Sequence, residues 1–129
     1  MSAEENRKIV QLAYEAFNRG EMNVVFDSLA DDIVWTNHSW ESSPKRGVFY
    51  GKSGVQQFFS NFDQFEMERF DVKDIVAVED TVIVLVDYKE TVKATGKSFE
   101  STLVHLMTLR DGKLATWDEY MDDTDNPWE

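Results

Sequence analysis

Two residues near the end of the chain have side chains that could move a proton. His105 lies in the segment STLVHLMTL and Glu119 in TWDEYMD. Read as strands, these segments place His105 on the face of Leu103, and Glu119 on the face of Trp117 and Met121. Burial raises the pKa of a carboxyl toward working pH, and a nearby imidazolium lowers it. A buried Glu–His pair could therefore act as a general acid and base.

The turn between these two strands decides whether the side chains meet. Asp111–Gly112 is a strong hairpin signal. A two-residue turn places His105 on the face of Asp118, whereas a three-residue turn with a glycine bulge places it on the face of Glu119. The sequence leaves both registers open. Apolar matching favours the second, since Trp117 then joins the apolar face.

Further polar and aromatic residues could line a pocket around this pair. Tyr14 lies near the inward stripe of the first predicted helix, and Trp35 and Asn37 alternate onto one face of a short strand. Tyr88 shares the inward face of its strand with Glu90, which we expect to be solvated because it is near a hairpin. In a purely structural alternative, the Glu–His pair would simply satisfy its own hydrogen bonds or bond to Tyr14 or Trp35.

The sequence shows no pattern typical of a metal site, a reactive thiol or a serine nucleophile. The chain has no cysteine and two histidines, His38 and His105, which fall on opposite strand faces. Their spacing fits no zinc pattern, and no nucleophile elbow is present. We predict no metal and no cofactor.

Length and charge narrow the functional class. The 129 residues suit a single domain spanning 1–129. The net charge of −12, from 25 acids against 13 bases, argues against a nucleic-acid partner. No segment is long and apolar enough for a membrane span, and the first residues lack an apolar signal core, so we expect no membrane partner and a cytoplasmic location.

Hydrophobic spacing predicts helices followed by strands. Ser2 and Glu5 suit a capping box for the first helix, Gly20 would end it, and Asn23 and Ser53 are candidate caps for the next two. The predicted helices span 3–19, 22–30 and 54–65, and the predicted strands span 31–38, 67–80, 81–94, 97–110 and 113–123. Residues 39–50 are predicted to be a loop. This order indicates an α+β fold with the helices on one face of an antiparallel sheet.

The predicted strand 81–94 is apolar on both faces. Val84 and Val86 point to one side, and Ile83 and Leu85 to the other. Because the helices cover one face only, the outer face needs another cover. We predict a homodimer through the sheet in preference to the alternative, a C-terminal tail folding back with Trp128.

These segments together resemble a known family. AYEAFNRGEM, DSLADDIVW, YGKSGVQQFF and LMTLRDGKLATWDEYMDD occur in an order similar to that of SnoaL-like polyketide cyclases, within the nuclear-transport-factor-2-like superfamily. The resemblance implies a cone-shaped curved antiparallel sheet wrapping three N-terminal helices around an internal pocket, with dimerisation through the sheet. It also implies that the acid/base aspartate and pocket histidine of the cyclases fall at Glu119 and His105, with Glu one methylene longer than Asp.

Two other members of the superfamily fit less well. Ketosteroid isomerase carries its aspartate base at the position of Asn37, and an amide cannot take a proton. In limonene-epoxide hydrolase, the water-positioning tyrosine and asparagine match Trp35 and Asn37, and one catalytic aspartate matches Glu119. Its arginine and its other aspartate fall at Val86 and Tyr88, which argues against that mechanism.

We therefore predict a protein that binds a small apolar or aromatic molecule, with Glu119 and His105 transferring a proton as in a cyclase, isomerase or hydratase. The alternative is a non-catalytic ligand-binding or dimerisation module, because this fold hosts both. The predicted ligand-binding residues are Tyr14, Phe17, Trp35, Asn37, Phe58, Val86, Tyr88, Leu103 and Trp117.

Overall fold

A computed structural model describes residues 1–121 and 125–129 of the chain. It begins with the helix α1, Ala3–Asn18, whose buried face carries Val10, Ala13 and Ala16. The predicted capping box is present, because Ser2 Oγ accepts from the Glu5 backbone N–H and the Glu5 carboxylate accepts from the Ser2 N–H. Gly20 follows the helix with a φ of 76°, a left-handed conformation that glycine adopts without strain.

The second helix is shorter than predicted. α2 spans Met22–Asp27, and the strand β1, Leu29–Asn37, begins two residues later. Asn23 does not cap α2, because the helix starts one residue earlier and has no side-chain cap. The prediction extended the helix to residue 30 because Leu29 continues its apolar spacing, but Leu29 instead pairs with Leu114 in the sheet.

The predicted loop 39–50 is wrong at its end. Gly47–Tyr50 forms the edge strand β2, antiparallel to β1, and the helix α3, Gly51–Phe59, follows directly. Tyr50 precedes α3 without a side-chain cap, so Ser53 does not cap it. α3 then gives way to a 3₁₀ segment, Ser60–Gln64, before the predicted end of the helix. β2 has only four residues, includes Gly47 and follows closely after Pro44, so its pattern was too short to indicate a strand.

The remaining chain forms four long strands. These are β3 (Phe65–Val78), β4 (Thr81–Val92), β5 (Ser98–Arg110) and β6 (Lys113–Tyr120). In the part of the chain that the structure describes, six strands make one curved, unclosed sheet in the order β2-β1-β6-β5-β4-β3. All neighbours are antiparallel except β1 and β6, which are parallel. The predicted α+β architecture is confirmed, although residues 122–123 of the predicted last strand lie outside the described residues.

A bulge in β6 sets the register that matters for the candidate pair. The β5–β6 turn has two residues, and both Asp111 and Gly112 have positive φ angles, 51° and 75°. Leu109 pairs with Leu114, but Thr108 pairs with Thr116, so Ala115 is an extra residue. His105 consequently lies opposite Glu119. The favoured register is therefore the one observed, although the shift arises at Ala115 and not in a three-residue turn.

The inner face of the sheet packs against the helices. Val82, Val84 and Val86 of β4 are fully buried there, whereas Ile83 on the outer face is 36% exposed. The C-terminal Trp128 packs near Phe65, with a ring-centroid distance of 6.3 Å. A second copy of the chain as the cover of the outer face stays a prediction. Among the described residues, no helix has the length and apolar character needed to cross a membrane.

Candidate functional site

A half-open cavity lies between the helices and the inner face of the sheet. Its volume is about 70 Å³. Trp35 and Trp117 stack in its wall with their ring centroids 3.8 Å apart. Met67, the most exposed of the lining residues at 38%, lies at its mouth. The further lining residues are Ala13, Tyr14, Phe17, Val25, Ser28, Leu29, Lys45, Phe58, Phe59, Phe62, Phe70, Tyr88, His105, Leu114 and Glu119.

A chain of hydrogen bonds crosses this mostly apolar wall. His105 Nε2 lies 2.8 Å from Glu119 Oε1, and Asn37 Nδ2 donates to Glu119 Oε2 at 2.6 Å. On the other side of the imidazole, Tyr14 Oη lies 2.5 Å from His105 Nδ1. Trp117 Nε1 donates to Tyr14 Oη at 3.4 Å, which is a weak contact. Residues from α1, β1, β5 and β6 thus meet in one polar chain.

The electrostatics of these hydrogen-bonded side chains determine which of them are protonated. Burial of Glu119 disfavours its charged form, but the hydrogen bond and charge of His105, the charge of Lys45 and the bond from Asn37 together hold its pKa below its usual range. Burial raises the pKa of the Tyr14 phenol far above its usual value; the Trp117 hydrogen bond opposes this and the Glu119 charge adds to it. Glu119 is therefore ionised and Tyr14 keeps its proton.

The ionised state of Glu119 places one proton on the imidazole. An ionised carboxylate only accepts hydrogen bonds, so His105 donates from Nε2–H to Glu119. When Nδ1 carries no proton, it accepts the Tyr14 O–H; when both ring nitrogens are protonated, Nδ1–H donates to Tyr14 Oη and the imidazolium charge lowers the pKa of Glu119. With the neutral imidazole, the hydrogen bonds run in one direction, from Trp117 through Tyr14 and His105 to Glu119. This arrangement resembles a nucleophile–base–orienter triad in which the outer member is a phenol.

A second polar cluster lies in the same cavity wall. Lys45, in the loop between β1 and β2, places its Nζ 2.5 Å from Glu90 Oε1, and Tyr88 Oη donates to the same oxygen at 2.5 Å. Glu90 is 0% exposed and Lys45 is 4% exposed. The ammonium lies 4.2 Å from the centroid of the Phe65 ring. The expectation that Glu90 is solvated is wrong, because its side chain is buried and bonds to Lys45 and Tyr88.

The structure brings most of the predicted site residues to the cavity. Asn37 does not line it but bonds to Glu119 from behind. Val86 and Leu103 do not line it either; their side chains are 0% and 1% exposed and pack in the apolar core. The predicted residues that line the cavity are Tyr14, Phe17, Trp35, Phe58, Tyr88, His105, Trp117 and Glu119. Their roles stay predictions.

Sequence reasoning missed Lys45 and several aromatic residues. Lys45 stands in SPKRG beside Arg46, and no local signal shows which of these two cations is buried. Phe70 was detectable in principle, since it alternates inward along β3. Tyr14 was predicted to line the pocket, and its hydroxyl also contacts His105 directly, a bond that the structural alternative allowed.

Metal-ligating residues do not gather in the described part of the chain, where no group of three or more His, Asp or Glu side chains could hold an ion. His38 lies on the outer sheet face, stacked on Tyr120 with ring centroids 4.4 Å apart. Its Nε2 is 3.1 Å from Asp118 Oδ1. The two histidines therefore lie on opposite faces of the sheet.

Comparison with known proteins places the chain in a family. The SnoaL-like domain matches residues 10–117, and none of the curated proteins matches the chain. An NTF2-like protein from Burkholderia xenovorans LB400 is 27% identical, with a TM-score of 0.83 over 95% of this chain and 92% of its own.

Two more distant structures share the fold. TerC, co-crystallised with polyporic acid, is 19% identical, with a TM-score of 0.80 over 92% of each chain. A proposed SnoaL-like polyketide cyclase from Mesorhizobium loti is 23% identical, with a TM-score of 0.73 over 88% of this chain and 96% of its own. Because the family match spans most of the sequence, this chain belongs to the SnoaL-like domain family.

Proposed function

We propose that the cavity binds a small apolar or aromatic molecule and that Tyr14, His105 and Glu119 exchange a proton with it. One observation carries this proposal. An unbroken hydrogen-bonded chain runs from the ionised Glu119 through His105 to Tyr14, and all three residues line the cavity. The reaction class is that of a cofactor-independent cyclase, isomerase or hydratase.

The lining of the cavity supports binding of a flat ring. The stacked Trp35 and Trp117 and the edge-on Phe58, 6.1 Å from Trp117, offer aromatic faces and edges. A closed apolar cavity of about 150 Å³ holds benzene. The cavity here is smaller, about 70 Å³, but it is not sealed. A single small ring therefore fits with part of it in the mouth. The similarly folded TerC was crystallised with polyporic acid, an organic ligand.

The hydrogen-bonded chain supports proton transfer without a tyrosinate. A substrate proton can pass to Tyr14 Oη as the phenol proton moves to His105 Nδ1 and the Nε2 proton moves to Glu119. The products are a substrate anion, a neutral phenol, a neutral imidazole protonated at Nδ1 and a neutral carboxylic acid, so the charge is conserved. The reverse shift returns a proton to another atom of the substrate. Tyr14 is the group that contacts the substrate, and Glu119 stores the proton.

A non-catalytic binding module is the second candidate. One observation favours it: the polar chain satisfies its own hydrogen bonds, since Glu119 has two donors and His105 uses both ring nitrogens. A structural role or a ligand-orienting role needs no more than this.

Hydrogen–deuterium exchange distinguishes the two candidates without knowledge of the natural substrate. Benzyl methyl ketone, a small ring with acidic C–H bonds beside a carbonyl, is incubated with the protein in D₂O and followed by NMR. We expect the wild type to accelerate exchange over Glu119→Gln and Tyr14→Phe by about two to four orders of magnitude. Glu66→Gln, the same change at an exposed strand position, is the matched control and should not slow the exchange.

The same experiment can contradict the proposal. A protein that the ketone stabilises against heat, but whose Glu119→Gln variant exchanges it equally fast, is a binding module. A protein that neither binds the ketone nor accelerates its exchange contradicts both parts of the proposal.

A further inference from the structure

The cluster of Lys45, Glu90 and Tyr88 has no part in the proton transfer described above. Lys45 nevertheless lines the same cavity. Tyr88 lies opposite Ser101, four residues along β4 from Val84, the neighbour of His105. At about 3.4 Å per residue, Tyr88 starts about 14 Å along the sheet from the His105–Glu119 pair, and the side chains of both groups line the cavity. The charge of Lys45 reaches Glu119 across this space and helps to lower its pKa.

The hydrogen bonds of this cluster are incomplete. A lysine ammonium has three N–H donors, and of the residues that the structure describes only Glu90 offers an acceptor within bonding distance. The ammonium also makes a cation–π contact with the face of the Phe65 ring. Glu90 Oε2 is buried and has no hydrogen-bond partner among the described residues. A buried ion pair is weak evidence for a stabilising role, since well-packed apolar residues often replace it without loss.

We propose that Lys45 donates a hydrogen bond to a neutral oxygen of the bound molecule, at the end of the cavity away from Tyr14. This inference rests on the proposed function, because it needs a ligand in the cavity. The ligand class it assigns is a small ring that carries a carbonyl or similar uncharged acceptor oxygen.

The charges in the cavity wall explain why the oxygen is neutral. Glu119 lines the cavity, and Glu90, behind the wall, is paired with Lys45, so two carboxylates stand against one ammonium. A carboxylate ligand would add a third negative charge in a site of low dielectric, where repulsion is strong. A carbonyl oxygen accepts from Lys45 without that repulsion, and the ammonium stabilises any negative charge that develops on the oxygen as a neighbouring proton leaves.

Three probes of nearly equal shape test this assignment. Acetophenone carries a carbonyl oxygen, α-methylstyrene replaces that oxygen by a methylene group, and benzoate replaces the methyl group by a charged oxygen. Their affinities are measured by calorimetry and tryptophan fluorescence at pH 7. We expect the wild type to bind acetophenone about ten- to a hundredfold more tightly than α-methylstyrene, which is what one hydrogen bond from a charged donor contributes. Benzoate should bind more weakly than acetophenone.

The variant removes both charges together. Lys45→Met alone would leave Glu90 buried without a partner and could unfold the chain. Lys45→Met with Glu90→Gln keeps the shapes and lets Tyr88 still donate. We expect this double variant to bind both neutral probes equally, with its affinity for α-methylstyrene unchanged. Lys89→Met with Glu100→Gln, the same change at a more exposed pair 3.7 Å apart, should retain the wild-type preference.

Each other outcome overturns the inference. If the double variant keeps the preference for acetophenone, Lys45 does not bind the oxygen; loss of the preference in Tyr14→Phe would then place the oxygen at Tyr14. If benzoate binds the wild type more tightly than acetophenone, the ligand class is wrong. Both results leave the proposed function intact. If none of the three probes binds the wild type, the inference and the proposed function fail together.

Discussion

Replacing Glu119 by glutamine separates the two roles that its carboxylate could have. The wild-type carboxylate accepts from His105 Nε2–H and from Asn37 Nδ2–H. A glutamine side chain has nearly the same volume but offers one acceptor and one donor. Asn37 Oδ1 has no hydrogen-bond partner among the described residues, so a turned amide of Asn37 can accept from the new donor. Both contacts therefore survive in Glu119→Gln, and only the charge is lost.

The effect on stability follows from these contacts. Two hydrogen bonds to a charged acceptor, each worth about 1.5–3 kcal/mol, become neutral bonds worth about 0.5–1.5 kcal/mol each. The loss of about 2–3 kcal/mol is partly offset, because the buried amide costs less to desolvate than a carboxylate. We expect the free energy of unfolding of Glu119→Gln to fall by about 1–2 kcal/mol at pH 7. At about 4 °C per kcal/mol, the melting temperature should fall by about 4–8 °C.

The pH dependence gives an independent check. The folded-state pKa of Glu119 is below its usual value, so its ionised form contributes stability above the unfolded pKa of about 4.3. That contribution is lost as the pH falls through the folded pKa. The difference in unfolding free energy between wild type and Glu119→Gln should therefore be constant near neutral pH and shrink in acid.

Urea denaturation followed by circular dichroism at several pH values measures this difference, and ketone exchange measures proton transfer in the same samples. We expect a modest loss of stability together with a large loss of exchange. A loss of about 3–5 kcal/mol, the range for removing one partner of a buried ion pair, with binding and exchange unchanged, would show that Glu119 is only structural. No change in either quantity would refute the hydrogen-bonded chain itself.

Three further changes have defined outcomes. Asn37→Asp places a second carboxyl 2.6 Å from Glu119, which raises the pKa of the carboxyl pair above its unfolded value. In urea titrations, the variant should therefore match the wild-type stability near pH 4 and lose several kcal/mol of stability as the pH rises to 7. Leu103→Ala should lower the unfolding free energy by about 2–5 kcal/mol but leave probe affinities unchanged in calorimetry, since Leu103 lies behind the cavity wall. A large loss of affinity would show that Leu103 contacts the ligand. We propose that the outer sheet face forms a homodimer, so the wild type should sediment as a dimer at micromolar concentration and Ile83→Glu as a folded monomer; a monomeric wild type would contradict this.

The face of each candidate side chain could be predicted from sequence, because strand alternation is a strong constraint. His105 and Glu119 were placed on apolar faces by their neighbours alone, and the structure pairs them directly. The position of the bulge could not be predicted. An alanine such as Ala115 carries no sequence signal for a bulge. The Asp111–Gly112 turn was evident from the sequence, but a turn specifies the register only where the following strand is regular.

The burial of Glu90 could not be predicted, because it depends on segments distant in sequence. Lys45 is 45 residues away from Glu90, and the C-terminal segment also reaches this end of the sheet, where Thr95 donates to the Pro127 carbonyl. Local spacing indicated only that Glu90 faces inward near a hairpin. Which side chain would compensate its charge is a tertiary property that the loop SPKRG does not encode by itself.

The position of β6 has a consequence for how the chain is made. Of the six strands that the structure describes, β6 comes latest in the sequence, yet it lies between β1 and β5 in the sheet. Before it leaves the ribosome, the β1–β2 hairpin and the β3–β5 meander are separate half-sheets, each with an open edge. The polar chain also spans long sequence separations, 91 residues for Tyr14 to His105 and 82 for Asn37 to Glu119. Such contacts form slowly. A nascent chain that stalls before Lys113 therefore exposes the unpaired edges of β1 and β5, which can pair with other chains. Insertion of β6 between them joins the two half-sheets and assembles the site in the same step.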